Sequence, residues 1–206
     1  VRAALNRILA EDDRRPLSLD EIKSMIGHGA TAIVVKALKA TGPAGTAEYV
    51  ADVLGRYLDT YSQRPTEHTV VYPGVVETLE HFKAGGVAMG ICTNKPRAVT
   101  LPVLEALGLD RYFSAVTCGD SVAHPKPDGR HVLETLEMMN ADPAAAALVG
   151  DSETDIEAAL DAGIPSLAVA WGYCLVPLES LGADAVIESF DELAAAVGQI
   201  SNRSLQ

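Results

Sequence analysis

Ala147-Leu148-Val149-Gly150-Asp151-Ser152-Glu153-Thr154-Asp155 passes from an apolar run to a cluster of carboxylates within nine residues. The run Ala145 to Val149 predicts a strand, and Ser152 to Ala162 predicts the helix after it. Asp151 then stands at the strand terminus, and Asp155 lies one helical turn further on. Both side chains can point at one spot above a sheet. Clustered carboxylate oxygens suit a hard cation such as Mg²⁺. The same residues also fit a capping box, with Ser152 as N-cap and Asp155 three residues on. The two readings are compatible.

Outward from this segment the alternation continues. Val87 to Thr93 is a continuous apolar run, as expected of a strand buried on both faces. Ala115 to Cys118, Ser166 to Ala170 and Ala185 to Ile187 are further strand candidates, and Phe190 to Val197 predicts a last helix. Helices are predicted from Gly74 to the Gly85-Gly86 stop, from Thr93 to Gly108, and from the Pro125-Lys126-Pro127 loop through Met139. This pattern predicts an α/β fold, a Rossmann-like parallel sheet flanked by helices. The first third is different, with helical patterns only. Ala4, Leu5, Ile8 and Leu9 share one face, Ser18-Leu19-Asp20-Glu21 opens a helix with a capping box, and Thr31 to Ala40 and Ala47 to Ser62 follow. Pro65 to Gly74 reads as a linker. The expected division is a helical unit over 1–68 and an α/β core over 69–206.

Open α/β sheets bind ligands beyond the carboxyl ends of their strands. Three sets of polar residues are predicted there. Thr93-Asn94-Lys95 ends the first strand candidate, where a hydroxyl and helix-start N–H groups suit a phosphate oxygen. Thr93 could equally cap the next helix. Lys126 stands between two prolines that stiffen its loop, although most lysines are simply exposed. Asp151 and Asp155 are the third set.

Composition narrows the function. The 206 residues are 48% apolar, enough for a sizeable core. The net charge of −12 disfavours nucleic acid and anionic membranes as partners. Cys92, Cys118 and Cys174 form no Cys-x-x-Cys pair, as expected in a reducing compartment. No apolar stretch is long enough for a bilayer and no signal peptide opens the chain, so the expected location is cytoplasmic. A monomer and a homodimer are both compatible with the sequence.

Taken together, the threonine, the lysine and the acidic pair, in this order, resemble the haloacid dehalogenase-like hydrolase superfamily. Within it the chain is similar to the phosphoglycolate phosphatases. The phrases that carry this are Tyr72-Pro73-Gly74-Val75, Cys92-Thr93-Asn94-Lys95-Pro96, Gly150-Asp151-Ser152 through Asp155-Ile156, Ala162-Gly163-Ile164-Pro165 and Trp171-Gly172-Tyr173. Ile26-Gly27-His28-Gly29 resembles the helical cap of that group. The resemblance implies Mg²⁺-dependent hydrolysis of a small phosphorylated metabolite. It implies that Thr93 and Asn94 hold the phosphate and that Lys126 neutralises it. Asp151 would ligate Mg²⁺ and Asp155 support it, with His28 a substrate contact from the cap. A dehalogenase needs no metal, which argues against that activity here. A sugar-phosphate mutase carries glycine where Asp155 stands.

One part of the family pattern is missing. The aspartate nucleophile and its general acid form an Asp-x-Asp pair, and no such pair occurs among residues 1–206. Asp12-Asp13 does not substitute. The strand bearing the pair is expected just before Val1, and its place in the sheet is central, between the strands ending at Thr93 and Val149. Residues 1–206 alone are therefore expected to be inactive, with two sheet edges unpaired. The alternative is a non-catalytic module that binds phosphate or a partner on the same scaffold.

Overall fold

The computed structural model describes residues 1–174 and 176–203. Four helices come first: α1 (Arg2–Glu11), α2 (Leu19–Lys23), α3 (Gly29–Thr41) and α4 (Ala47–Gln63). Ser18 and Glu21 form the expected reciprocal capping box on α2. Ala4, Leu5, Ile8 and Leu9 are the buried face of α1, matching the 3.6-residue period. They join Ile22, Val34, Leu38, Val53 and Tyr57 in one apolar cluster. Asp12 belongs to this unit, where it pairs with Arg56 at 2.8 Å and accepts the Tyr49 hydroxyl at 2.6 Å. Its carboxylate is thereby a brace between α1 and α4.

The rest alternates: α5 (Val75–Ala84), β1 (Gly90–Thr93), α6 (Arg97–Ala106), β2 (Ala115–Cys118), α7 (Gly129–Met138), β3 (Leu148–Gly150), α8 (Glu153–Ala162), β4 (Ser166–Val169), β5 (Ala185–Ile187) and α9 (Leu193–Arg203). Every strand pairing is parallel among the described residues. Val132, Leu136, Ala158, Ala159 and Ile164 fill one face, with Cys92 of β1 and Leu148 of β3 packed against them. Leu167, Val169, Ile187, Leu193 and Ile200 fill the other, with Phe82 of α5. This is a Rossmann-like layer with helices on both faces. Val99 of α6 enters the cluster of the first four helices, so the helical unit and the core share apolar contact. Among the described residues no helix is long and apolar enough to cross a membrane.

Three differences from the sequence reading have local causes. The run Val87 to Thr93 yields a strand only from Gly90, because the Val87 N–H closes the end of α5 on the Phe82 carbonyl. β3 starts at Leu148 because Pro143–Ala145 form a 3₁₀ turn whose Ala144 N–H bonds the Asp142 side chain. The last helix is preceded by a 3₁₀ turn at Phe190–Glu192 and runs on to Arg203.

The fourth difference is larger. The strands form two sheets, β1-β2 and β3-β4-β5, rather than one. β4, paired on both edges, is buried throughout, whereas β1 is half-buried throughout. The expectation that Val87 to Thr93 is buried on both faces is therefore corrected. A strand with one paired edge stays open to solvent along the other. The division falls between β1 and β3, where the sequence reading leaves a central strand unfilled. α7 holds the halves together by packing on β1, β2 and α8.

Candidate active site

The carboxyl ends of β1 and β3 open into a cavity of about 710 Å³ between the core and the first four helices. Thr93, Asn94, Lys126, Asp151 and Asp155 all line it. Lys126 is no exposed loop lysine. Only 8% of it is exposed, and its Nζ donates to the Cys92 carbonyl at 2.6 Å and to Asp155 Oδ1 at 2.5 Å. The ammonium thus spans the division, from β1 to the first turn of α8. Behind it the Lys126 N–H donates to Nδ1 of His131, which is fully buried. Burial, with the Lys126 charge nearby, pushes the His131 pKa down to about 4.

The acidic pair divides its roles by environment. Asp155 Oδ2 accepts the N–H groups of Asp151 and Ser152 at 3.1 and 3.0 Å and the Ser152 hydroxyl at 2.6 Å. The Ser152-to-Asp155 bond is the capping geometry read from the sequence. Burial opposes the Asp155 charge, but the Lys126 ammonium and these donors prevail and hold its carboxyl below the usual range. Asp151 has no paired cation among the described residues. Burial, with the Asp155 charge beside it, pushes its pKa up to about 6. Two glycines permit this crowding. A Cβ at Gly150 would collide with the Asp155 side chain, and one at Gly172 would sit 2.5 Å from the Asp151 carbonyl oxygen. The Trp171-Gly172-Tyr173 turn wraps Asp151 closely. The Tyr173 N–H donates to the Asp151 carbonyl at 3.0 Å and so ties the turn to the end of β3.

The charge balance of Asp151 fits a hard cation: it is a largely buried carboxylate without a counterion. Asp155, its oxygens already occupied by donors, fits a supporting role that orients the loop around Asp151. Among the described residues no cluster of three or more His, Cys, Asp or Glu forms a complete ligand set. The sign of the Asp151 effect follows. Its folded pKa of about 6 lies above the ordinary 3.8, so burying the charge opposes folding above pH 6 and no longer does so below 3.8. Asp151→Asn is expected to gain about 2 kcal/mol of stability at pH 8 without divalent metal, after allowance for partial exposure, and almost nothing at pH 3.5. Urea denaturation at both pH values checks this.

Thr93 is not a helix cap, since Pro96 holds the N-cap position of α6. Its Oγ1 accepts the Lys95 N–H at 3.1 Å. The side-chain amide of Asn94 donates to the Gly27 carbonyl at 3.0 Å and to the Lys126 carbonyl at 2.8 Å. Asn94 therefore brackets the Gly27 turn, β1 and the lysine loop. His28 lies elsewhere: it is exposed and lines an adjoining cleft of about 290 Å³, while Gly27 and Gly29 line the larger cavity.

The family model of the haloacid dehalogenase-like hydrolases matches residues 1–169. The chain belongs to this family. It is 35% identical to the phosphoglycolate phosphatase of Agrobacterium fabrum, over 95% of this chain and 84% of that protein. It is 38% identical to that of Rhodospirillum rubrum, over 95% of this chain and 83% of that one. A crystal structure described as a predicted phosphoglycolate phosphatase from Haemophilus somnus superposes with a TM-score of 0.88 at 26% identity, covering 94% of this chain and 88% of that one. These relatives make the chain a hydrolase of the phosphatase type.

For this haloacid dehalogenase-like hydrolase, sequence reasoning misses three cavity residues. Lys95 reads only as part of a phrase, Tyr61 only as one residue of the helix predicted from Ala47 to Ser62, and Tyr173 only as part of a matching motif. All three line the cavity. The signal for Lys95 is its position directly after Thr93-Asn94. No signal marks Tyr61, because the helix period assigns it to the buried face of α4 and is silent on where its hydroxyl ends.

Proposed function

We propose that this chain supplies most of the site of a Mg²⁺-dependent phosphatase for a small phosphorylated metabolite, 2-phosphoglycolate first. Residues 1–68 would serve as the helical cap and 69–206 as the core. The observation that carries this reading is Lys126, buried, fixed on Cys92 and Asp155, and facing the same cavity as Thr93 and Asp151. A fixed ammonium neutralises phosphate charge without reorganising during the reaction. The Thr93 hydroxyl and the N–H groups beside it offer donors to phosphate oxygens. Asp151 would hold Mg²⁺, with Asp155 keeping its loop in place. The metal, when bound, screens the charge between an attacking carboxylate and the phosphate. The helical unit over the cavity excludes water from the phosphate.

The nucleophile in this family is an aspartate. Residues 1–206 hold no Asp-x-Asp pair, so in this reading the nucleophile enters on a strand seated between β1 and β3, and residues 1–206 alone are inactive. The same absence favours a second reading, a non-catalytic phosphate-binding module. Phosphate release from 2-phosphoglycolate separates them. It should be run with Mg²⁺ on residues 1–206, and on the same residues preceded by a strand bearing Asp-x-Asp. Turnover only by the second supports the phosphatase. Binding without turnover by both supports the module. Turnover by residues 1–206 alone overturns the assignment of the nucleophile.

A further inference from the structure

The cavity holds a second placed cation. Lys95 is half-buried, and its Nζ donates to the Tyr61 hydroxyl of α4 at 3.1 Å. The same Nζ lies 5.4 Å from the centroid of the Tyr61 ring. Tyr61 is itself only 7% exposed and packs on Tyr57 with ring centroids 5.9 Å apart. The ammonium is therefore held by a buried partner that neutralises none of its charge. No carboxylate pairs with it among the described residues. Of the acids that line the cavity, Asp155 meets Lys126, Glu67 meets Arg64 and His68, and Asp151 makes no ion pair with Lys95 or any other cation among the described residues. Of the other basic groups lining the cavity, Arg2 and Lys23 are exposed, and the Val1 amino group has its pKa pushed down to about 6 by burial and by the nearby Lys95 charge.

A partly desolvated cation without a counterion favours an anion beside it. Lys126 already faces the phosphate position in the proposed reaction. Lys95 stands on the side of the cap, where the remainder of a phosphate ester must lie. We infer that Lys95, positioned by Tyr61, binds a carboxylate on the leaving group, so that the site selects short phosphate monoesters bearing a carboxylate. The inference rests on the phosphatase reading and adds to it the residues that choose the substrate. Tyr61 comes from the helical unit and Lys95 from the core, so an anion bound between them also fastens one to the other.

Binding to residues 1–206 tests this by calorimetry, with inorganic phosphate, ethyl phosphate, 2-phosphoglycolate and 1,3-propanediol bisphosphate as probes. The parent is expected to bind 2-phosphoglycolate about ten-fold tighter than ethyl phosphate, the scale of one charge-assisted hydrogen bond. Lys95→Met should erase that preference while leaving the affinity for inorganic phosphate in place. Lys95→Arg should retain it, and Tyr61→Phe should weaken it. Unchanged thermal midpoints of the free variants exclude misfolding, and the arginine variant decides the matter should the methionine variant unfold. Equal affinity of the parent for ethyl phosphate and 2-phosphoglycolate overturns the inference and leaves the phosphatase reading standing. So does an equal loss on every probe in Lys95→Met, or a bisphosphate bound tighter than 2-phosphoglycolate. A parent that binds no phosphate at all overturns both.

Discussion

Lys126→Met is expected to cost about 3–5 kcal/mol of stability and to abolish phosphate binding. The size follows from what the substitution leaves behind. The side chains of Lys126 and Asp155 are 7% and 8% exposed, and their contact is 2.5 Å. Removing the ammonium strands a carboxylate whose side chain is almost wholly shielded from solvent, and the penalty for an unpaired buried charge exceeds the net worth of the pair. The Cys92 carbonyl also loses its donor. A second variant isolates the cause. Lys126→Met combined with Asp155→Asn should recover much of the lost stability, because no charge is then stranded, yet bind no phosphate. Urea denaturation of the parent, both single variants and the double variant yields the coupling energy directly. Additive losses would contradict the account.

Acid should weaken the fold through His131 by about 3 kcal/mol between pH 6.5 and pH 4. The imidazole is fully buried, accepts the Lys126 N–H, and has its pKa lowered to about 4 by burial and by the Lys126 charge. A folded pKa below the unfolded one means that the unfolded chain binds the proton first. Stability is therefore full above pH 6.5, falls as pH drops, and stops falling near pH 4. Asp151 works the other way over part of the same range, so the raw slope of the parent is a sum. The difference between parent and His131→Gln isolates the histidine. The variant should lose less stability than the parent from pH 7 to pH 4. A parallel pair of curves would mean that His131 is not held neutral by its site.

The positions of Thr93, Lys126, Asp151 and Asp155 at strand or loop ends were legible because alternation of strand and helix fixes where a parallel sheet presents its polar residues. The capping box at Ser18 and the buried face of α1 were legible because both are local. What was not legible depended on contacts between segments distant in sequence. The bond from Asn94 to Gly27 spans 67 residues, and that from Lys95 to Tyr61 spans 34. Periodicity carries no information on such pairs. The exposure of β1 was hidden for a related reason. An apolar run predicts burial on both faces, but burial of a strand also depends on what pairs with each edge. In the proposed reading, a strand bearing the Asp-x-Asp pair absent from residues 1–206 would fill the division between β1 and β3.

The most direct test is a titration of inorganic phosphate into the protein with and without Mg²⁺, repeated on Asp151→Asn and Lys126→Met. The site proposed here predicts that Mg²⁺ tightens phosphate binding in the parent, that Asp151→Asn removes the effect of Mg²⁺, and that Lys126→Met removes phosphate binding itself. Phosphate binding that is indifferent to Mg²⁺ in the parent, or that survives Lys126→Met unchanged, would contradict the account.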